Sequence, residues 1–427
     1  MDLYGELAWR GLVYDETEGV RELVAREKVT AYSGFDPTAP SLHVGHLLPI
    51  LALARLQRFG HVPIAVVGGG TGLIGDPSFK AAERALLTLD QVETNVSGIR
   101  VQLSRFLDFE HPTNPARLVN NAEWLTKVSA IDFMRDVGKH FSVNAMMAKE
   151  SVKRRFEGDD GISYTEFSYP LLQAFDYLVL NERFNCTLQI GGSDQWGNIV
   201  AGMDLIRRVR GAKAYGLVLP LLMTAAGTKF GKTEAGSVWL DPQLTTPFEF
   251  YQFWLNSDDR DAVKYLKFFT FMEESRLAEL EAASVREPER RHAQRELARE
   301  VTRLVHGEPG VRDAEAAAGK LFGGDLATMS VAQLLEVFPN VPSKTIPMQS
   351  DGWRLTGLLT DAGVTASNGE ATRLIRSGGI YVNDRRITDE KERLTTEQAI
   401  EGQLFVVRKG KRDNFLIRID RGLTPPS

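Results

Sequence analysis

The sequence predicts an α/β fold: a doubly wound parallel-sheet domain comes first, an α-helical region follows, and a small α+β module closes the chain. Three observations carry this. Short apolar runs alternate with helical stretches over the first part; beyond Thr246 the chain turns helical and densely charged, as in residues 293–306; and a capping signal followed by short apolar runs marks the tail.

Taken in order, residues 29–35 read as a strand ending in the turn Gly34-Phe35-Asp36-Pro37, and residues 47–59 as a helix closed by Gly60. Residues 62–67 form an unalternated apolar run of the kind buried on both faces of a parallel sheet, and residues 80–89 read as the next helix. Over residues 120–155 helical periodicity takes over, with Phe133, Val137 and Phe141 spaced four apart and Met146 and Met147 close behind. That stripe reads as core, with an oligomer interface as the alternative. A strand at 187–190, the loop Gly191-Gly192-Ser193-Asp194-Gln195-Trp196 and a further helix complete the first part. The polar, proline-containing stretch 336–350 reads as a linker. In the tail, Ser367-Asn368-Gly369-Glu370 predicts a helix that runs through Arg373 and Arg376 and stops at Gly378-Gly379. Strands are expected at 380–382, 404–407 and 415–419, the last preceded by the turn Arg408-Lys409-Gly410-Lys411-Arg412.

Composition excludes several classes. A chain of 427 residues has room for roughly two to three domains. Its net charge of −5 argues against a protein that coats nucleic acid unselectively, although Arg373, Arg376, Arg385, Arg386, Arg408, Lys409, Lys411 and Arg412 concentrate positive charge on the tail. On an acidic chain that asymmetry points to a polyanion such as RNA, against the bland reading of a solvated surface balanced by nearby acids. The lone Cys186 rules out an intramolecular disulfide and any zinc site built on several cysteines. With no signal-like segment and no apolar run of membrane-spanning length, a cytoplasmic, soluble protein is expected.

Gly70-Thr71-Gly72-Leu73-Ile74-Gly75 matches the dinucleotide fingerprint letter for letter and follows a strand. Asp76-Pro77 nevertheless puts the helix start after the last glycine, and no acidic residue ends a second strand about twenty residues on. Close backbone approach to some other ligand explains the glycines better.

His43 and His46 stand three apart in a chain with seven histidines. A metal site would want further ligands and an i, i+4 spacing. A helix start fits better, because its first turn offers unpaired N–H groups and the positive end of the helix dipole to an anion such as phosphate. Pro49 agrees, since proline suits early helical turns. Residues 223–233, MTAAGTKFGKT, set Lys229 and Lys232 three apart beside Thr233 in a loop whose spacing is not that of a P-loop. Alone this is mobile surface; beside a histidine-bearing helix start it supplies cations for a polyphosphate leaving group. Farther along, Tyr169, Gln173 and Asp176 fall at i, i+4 and i+7, three polar groups on one face of an otherwise apolar helix. That face is a pocket or a satisfied internal network.

His43-Val44-Gly45-His46 resembles the His-Ile-Gly-His signature of class I aminoacyl-tRNA synthetases, and Lys229-Phe230-Gly231-Lys232-Thr233 resembles their Lys-Met-Ser-Lys-Ser loop. Tyr32, Phe35-Asp36-Pro37-Thr38, the run from Tyr169 to Asp176 and the run from Gly191 to Asn198 are similar to the bacterial tyrosine branch, and the tail resembles an RNA-binding module shared with a ribosomal protein. The resemblance implies a Rossmann-like parallel-sheet catalytic domain over 1–222, with a helical insertion at about 120–185 forming a homodimer interface. It further implies a lysine loop and linker over 223–245, a tRNA-recognising α-helical domain over 246–335, and an RNA-binding α+β domain over 351–421.

The activity so implied joins tyrosine to tRNA(Tyr) through an adenylate made from ATP, with magnesium accompanying the nucleotide and no protein-bound metal. Thr38 and His43 would hold the outer phosphates, His46 and Gly45 the ribose and ring, and Lys229, Lys232 and Thr233 the pyrophosphate. Gly34, Asp36, Gly192 and Asp194 complete the ATP site, Asp194 and Gln195 reaching the ribose and the amino-acid carboxylate. Tyr169, Gln173 and Asp76 would take the substrate ammonium, and Tyr32 and Asp176 its phenol. A tryptophan-type synthetase is the nearest alternative and lacks a reason for Asp176. A pantetheine-type adenylyltransferase would not need the basic tail. A pseudouridine synthase could carry that tail but would need another fold and no lysine loop.

Overall fold

The computed structural model describes residues 1–76, 87–148, 152–153, 161–225, 227–228, 230–233, 236–322, 326, 329–331, 334–335, 338, 341–349, 351–410 and 413–420. The chain divides into two compact units, Met1–Thr245 with Phe250–Gly307, and Thr246–Glu249 with Glu308–Ser427.

The first unit is built on a six-stranded sheet of β1 (Asp15–Glu16), β2 (Thr30–Phe35), β3 (Val62–Val67), β4 (Arg117–Asn120), β5 (Cys186–Gly192) and β6 (Tyr215–Leu219), in the order β1-β6-β5-β2-β3-β4. All neighbours are parallel except the β1–β6 pair at one edge. The expected strands at 29–35, 62–67 and 187–190 are all present. β3 is buried along nearly its whole length, as its unbroken apolar run requires when both faces are covered. Because β2 is flanked by β3 and β5, chain order reverses there and a crevice opens beyond its carboxyl end.

Helices cover the faces: α1 (Leu3–Trp9), α2 (Val20–Arg26), α3 (Leu47–Arg58) and α4 (Leu89–Leu103) precede β4. Pro49 falls in the first turn of α3, where its missing N–H removes no helical bond. The helix expected at 80–89 lies outside the described residues up to Leu86. At its end Thr88 is instead an N-cap, its hydroxyl accepting from Gln91 N, so that α4 begins where that helix was to stop.

The expected helical stretch 120–155 is a correction, and its residues 149–151 and 154–155 lie outside the described residues. Asn120 ends β4, and the chain beyond it is broken into α5 (Ala122–Leu125), α6 (Ala130–Asp136) and α7 (Val143–Met147). Ser129 caps α6 and Gly138 opens a separate 3₁₀ turn, which interrupts the periodicity. Val137 is buried, and Phe133 and Phe141 pack beside it on the core formed by Tyr32, Ile64, Val66, Trp124 and Tyr177. Ile131, Met134, Val143 and Met147 from the same stretch are exposed. Two long helices, α8 (Tyr164–Phe184) and α9 (Trp196–Arg210), flank β5 in sequence, and the hairpin β7 (Lys232–Thr233) and β8 (Gly236–Ser237) comes after β6.

The densely charged region is helical as expected: α10 (Pro247–Leu255), α11 (Asp259–Phe269), α12 (Glu274–Arg286) and α13 (His292–Phe322), the last broken at Gly307 with φ +73. The carboxyl end of α11 is held by two buried arginines. Arg55 Nη2, from α3, donates to Phe268 O at 3.0 Å and Thr270 O at 2.6 Å, and Arg10 donates to Lys267 O, Thr270 O and Met272 O. Burial first, and then Arg10, lower the Arg55 guanidinium to about 9. Glu6 is the carboxylate beside them, 2.5 Å from Arg10 Nε and 3.9 Å from Arg55 Nε.

In the second unit the sheet runs β12 (Arg385–Ile387), β11 (Ile380–Val382), β14 (Leu404–Lys409), β15 (Asp413–Asp420), β9 (Ser343–Pro347), and β10 (Trp353–Arg354) pairs separately with β13 (Arg393–Leu394). The helices are α14 (Leu355–Asp361) and α15 (Asn368–Arg376). α15 begins as expected: Ser367 Oγ accepts from Glu370 N at 3.3 Å. The Glu370 carboxylate, however, takes Ala366 N and Lys409 rather than closing the box on Ser367.

The expected linker 336–350 is corrected. Ser343–Pro347 is a strand parallel to β15, and Phe338 and Leu334 pack with Leu326 and Met329 on Leu404, Val406 and Leu416. An edge strand with only Ile346 buried looks polar in sequence, and Pro347 at its end reinforces that look. The opposite face of the sheet, with Phe405, Val407 and Ile417, packs on Trp353, Leu355, Leu359 and Ile375. β14 is therefore apolar on both faces. The expected turn at Arg408 is also corrected in part: Arg408 and Lys409 are the last residues of β14, while Lys411 and Arg412 lie outside the described residues.

Removing the carboxylate between the two arginines should be more harmful than removing an exposed acid. Glu6→Ala is expected to destabilise the first unit by about 3 kcal/mol, because two buried guanidiniums then lack a counter-charge. A shift of the urea transition of under about 0.5 kcal/mol would contradict this.

Candidate active site

A cavity of about 480 Å³ opens at the carboxyl ends of β2 and β5, with Tyr32, Asp176, Tyr169, Gln173, Asp194 and His46 among its lining residues. At its closed end lies Asp176, buried on α8. Trp124 Nε1 donates to Oδ1 at 2.7 Å and Asn121 Nδ2 to Oδ2 at 2.9 Å. Burial raises this carboxyl to about 7, against the lowering effect of the two donors and with a further push from Asp36. Beside it the Tyr32 hydroxyl is buried with no hydrogen-bond partner among the described residues, and burial and Asp176 together hold its pKa well above the ordinary phenol value.

The wall is a polar network whose charged groups are carboxylates. Tyr169 donates to Asp36 Oδ2 at 3.0 Å, and the Thr71 hydroxyl to Asp36 Oδ1 at 3.0 Å. Gln195 Nε2 donates to Asp76 at 2.8 Å and Asp194 at 3.3 Å, while its Oε1 accepts from Gln173 and Asn198. Asp36, Asp76, Asp176 and Asp194 thus converge on a space whose described lining contains no Lys or Arg. Such a surface suits a cation. The expected trio of Tyr169, Gln173 and Asp76 is brought together, but Tyr169 is engaged with Asp36 and Asp76 is reached through Gln195.

At the mouth the two histidines explain their own spacing. His43 is the N-cap of a 3₁₀ turn (Val44–His46) leading into α3, and its Nδ1 accepts from Gly45 N at 3.1 Å; His46 Nδ1 accepts from His43 N at 3.1 Å. The arrangement is a reciprocal cap built from imidazoles. With Nδ1 accepting, each neutral ring carries its proton on Nε2. This corrects one expectation: the N–H groups of His43 and Gly45 are taken by the rings, and Val44 N donates to Val238 O at 2.9 Å, so an anion here meets imidazole rather than open backbone. Gly45 leaves no room for a side chain, since a Cβ would sit 2.8 Å from the His43 ring.

The lysine loop is docked on that turn. Residues 42–44 and 238–240 run together, with Leu240 N donating to Leu42 O at 2.8 Å and a bridge between His43 and Trp239. Gly231 adopts φ +81, and a Cβ there would come within 2.8 Å of Val44 Cγ2. Glycine at this position therefore satisfies both the backbone and the contact. Lys229 lies outside the described residues; Lys232 and Thr233 form β7, next to Phe230 and Gly231 of the cavity lining. Gly34 and Gly192 line the cavity, whereas Thr38 is exposed on the turn after β2 and does not.

Four residues escaped the sequence reading: Asn121 and Trp124, which hold Asp176; Thr71, inside the discounted glycine run; and Gln189, buried opposite Tyr32 in the sheet register with its Oε1 unpartnered among the described residues. No spacing ties Asn121 to a carboxylate fifty-five positions on. Only the parallel pairing of Tyr32 with Gln189 could have suggested the last.

In the second unit the basic residues are largely engaged. Arg376 pairs with Glu390, Arg385 with Glu392 and Lys409 with Glu370; Arg386 donates to Gly378 O; and Arg408 lies 3.8 Å over the Tyr381 ring. Arg373 is exposed without an ion-pair partner among the described residues.

The raised Asp176 carboxyl has a thermodynamic consequence. A folded-state value above the unfolded one favours the fold fully at low pH, and that contribution is lost as pH rises from about 4 through about 7. The stability difference between Asp176→Asn and the parent should therefore move in the variant's favour by about 2–3 kcal/mol between roughly pH 5 and pH 8. Parallel pH profiles of the two unfolding midpoints would contradict it.

Residues 25–323 match the family described as tRNA synthetases class I (W and Y), and residues 333–417 the tyrosine--tRNA ligase SYY-like C-terminal domain. The chain is 55% identical to a tyrosine--tRNA ligase of Roseiflexus castenholzii, over 97% of this chain and 98% of that one, and 52% identical to one of Geobacillus stearothermophilus, over 98% and 100%. Among solved structures, a C-terminally truncated mitochondrial tyrosyl-tRNA synthetase of Aspergillus nidulans aligns with a TM-score of 0.68 at 30% identity, covering 75% of this chain and 94% of that one. A buried acid and an unpartnered phenol at the end of an acidic cleft, a histidine turn with a lysine loop docked on it, and these full-length relatives converge: the chain belongs to the class I tRNA synthetases, in their tyrosine--tRNA ligase family.

Proposed function

We propose that this chain activates tyrosine with ATP and transfers it to tRNA(Tyr). The observation that carries the reading is the closed end of the cavity, where the buried Tyr32 hydroxyl lacks a partner beside Asp176. A substrate phenol supplies what is missing: its O–H donates to the carboxylate and its oxygen accepts from Tyr32. The polar wall of Tyr169, Gln173 and Asp76 takes the ammonium, and Gln195 orients the carboxylate.

A carboxylate oxygen of tyrosine attacks the α-phosphorus of ATP, the bond from that phosphorus to the bridging oxygen breaks, and pyrophosphate leaves. The terminal ribose hydroxyl of the tRNA then attacks the tyrosyl carbonyl and AMP departs. Neither step needs a covalent enzyme intermediate; positioning and charge suffice. His43 donates from Nε2 to the outer phosphates, and His46 with Gly45 holds the ribose and ring. Gly34, Asp36, Gly192 and Asp194 line the nucleotide's path, while Lys229, Lys232 and Thr233 meet the departing pyrophosphate. Thr38 stands outside the cavity lining and enters this assignment on sequence resemblance alone. Magnesium accompanies the phosphates of ATP; no cluster of three ligating side chains that could hold a metal ion occurs among the described residues.

Adenylation is assigned to the first unit and RNA binding to the second. The exposed Ile131, Met134, Val143 and Met147 support a homodimer through the region after β4. The place of action is the cytoplasm, where tRNA is charged; no helix among the described residues is long and apolar enough to cross a membrane. In the second unit the exposed ion pairs of Arg376 and Arg385 are weak enough for RNA phosphates to displace the carboxylates.

ATP–pyrophosphate exchange with a panel of amino acids tests the reading: tyrosine alone should drive it efficiently. In Tyr32→Phe the preference for tyrosine over phenylalanine in kcat/KM should relax by up to about tenfold, the contribution of one neutral hydrogen bond. Equal exchange with tryptophan, or unaltered preference in a folded variant, would redirect the assignment. For the tail, Arg373→Ala should leave exchange intact and lower the slope of log tRNA affinity against log salt by about 1. An unchanged slope would remove Arg373 from the RNA surface.

A further inference from the structure

We propose that Asp261 is a positioning residue for adenylation, pinning the shoulder of the lysine loop through the backbone N–H of Ala225. The inference rests on the proposed function and adds a residue that no motif contains. Asp261 lies in the first turn of α11 and is only 5% exposed. It is not needed as a cap, because Asp258 already caps that helix by accepting from Arg260 N. Nor has it a cationic partner within ion-pair distance among the described residues. A buried carboxylate without a counter-charge is destabilising unless strong donors meet it, and Ala225 N does so at 2.7 Å. The Tyr265 hydroxyl, one helical turn on, is held above its ordinary value by burial and by the Asp261 charge.

The loop so pinned is internally closed. Thr224 N donates to Thr228 O at 2.9 Å, Gly227 N to Thr224 O at 2.8 Å and Phe230 N to Leu222 O at 3.2 Å. Its second anchor is the Phe230 ring, set among Phe253, Trp254, Tyr265 and Phe269 with centroids 4.9–5.6 Å away. Lys229 stands in sequence between the two anchors and Lys232 just past the second. Both anchors draw on α11, and the far end of α11 is held by Arg55 of α3, the helix that begins at the histidine turn. α11 thus joins the lysine loop to α3, whose other end begins at the histidine turn, and Asp261 is one of its two contacts with the loop, beside the ring packing of Phe230. Losing that contact leaves tyrosine's pocket untouched and lets the loop depart from the position in which it meets pyrophosphate.

The test compares the full-length parent, Asp261→Ala and Asp261→Asn in single-turnover adenylate formation, tyrosine binding by intrinsic fluorescence, and amide hydrogen exchange over residues 222–233. Asp261→Ala should lower the adenylation rate roughly tenfold with tyrosine affinity within about twofold, and should raise exchange in the loop. Asp261→Asn, which keeps an acceptor oxygen, should restore most of the rate and the protection. A parental rate in Asp261→Ala, or parallel loss of rate and tyrosine affinity in both variants, would overturn the proposal. Unchanged loop protection in Asp261→Ala would overturn it even if the parent failed to form an adenylate, a failure that would by itself refute the proposed function.

Discussion

Every group in the cleft depends on the parallel pairing of β2 with β3 on one side and β5 on the other. That pairing sets Tyr32 beside Ile64 and Gln189 and brings the chain out at Asp36 and Gly192 on the same edge of the sheet. Parallel strands require crossovers, so the residues that come after each strand are remote in sequence and adjacent in space. The switch of direction at β2 leaves a place on that edge where a ligand can lie between the connecting segments rather than on top of them.

Within this crevice the electrostatics are asymmetric. The cavity lining carries the carboxyl groups of Asp36, Asp76, Asp176 and Asp194, while the imidazoles of His43 and His46 and the lysine loop stand at its mouth, so acceptors and donors are held in different parts of one space. Asp176 is the most constrained of these groups. A dry setting would keep it protonated, and the N–H donors of Trp124 and Asn121 offset much of that tendency, which leaves its proton finely balanced near neutrality. Beside it stands the buried Tyr32 hydroxyl, which has no hydrogen-bond partner among the described residues.

The rim is organised by contacts that leave little freedom to the backbone. The histidines cap their own turn, and the segment after the lysine loop runs alongside it as a strand-like partner, with Gly231 admitting Val44 where any side chain would collide. Phe230 is held by packing and Gly231 by geometry, which gives a physical reason for a phenylalanine and a glycine where the wider family signature has methionine and serine.

Much of the fold was legible because its signals are local. Residues 62–67 announced a buried strand by being apolar without alternation, Ser367 announced a helix start through its hydroxyl, and the histidine and lysine motifs named the chemistry. Tyr169, Gln173 and Asp176 could be set on one face by helical spacing alone. What sequence could not decide was the partner of each group, because partners come from other elements. Asn121 and Trp124 reach Asp176 across fifty-odd residues, the strand at Ser343–Pro347 looked like a linker because only Ile346 faces a core, and the histidine turn seemed to offer open N–H groups that the rings themselves occupy. Sequence by itself determined the elements and the kinds of group available for chemistry, since these depend on near-neighbour sterics and periodicity. Only the tertiary structure decided which groups meet, since burial and hydrogen-bond satisfaction are properties of the packed chain.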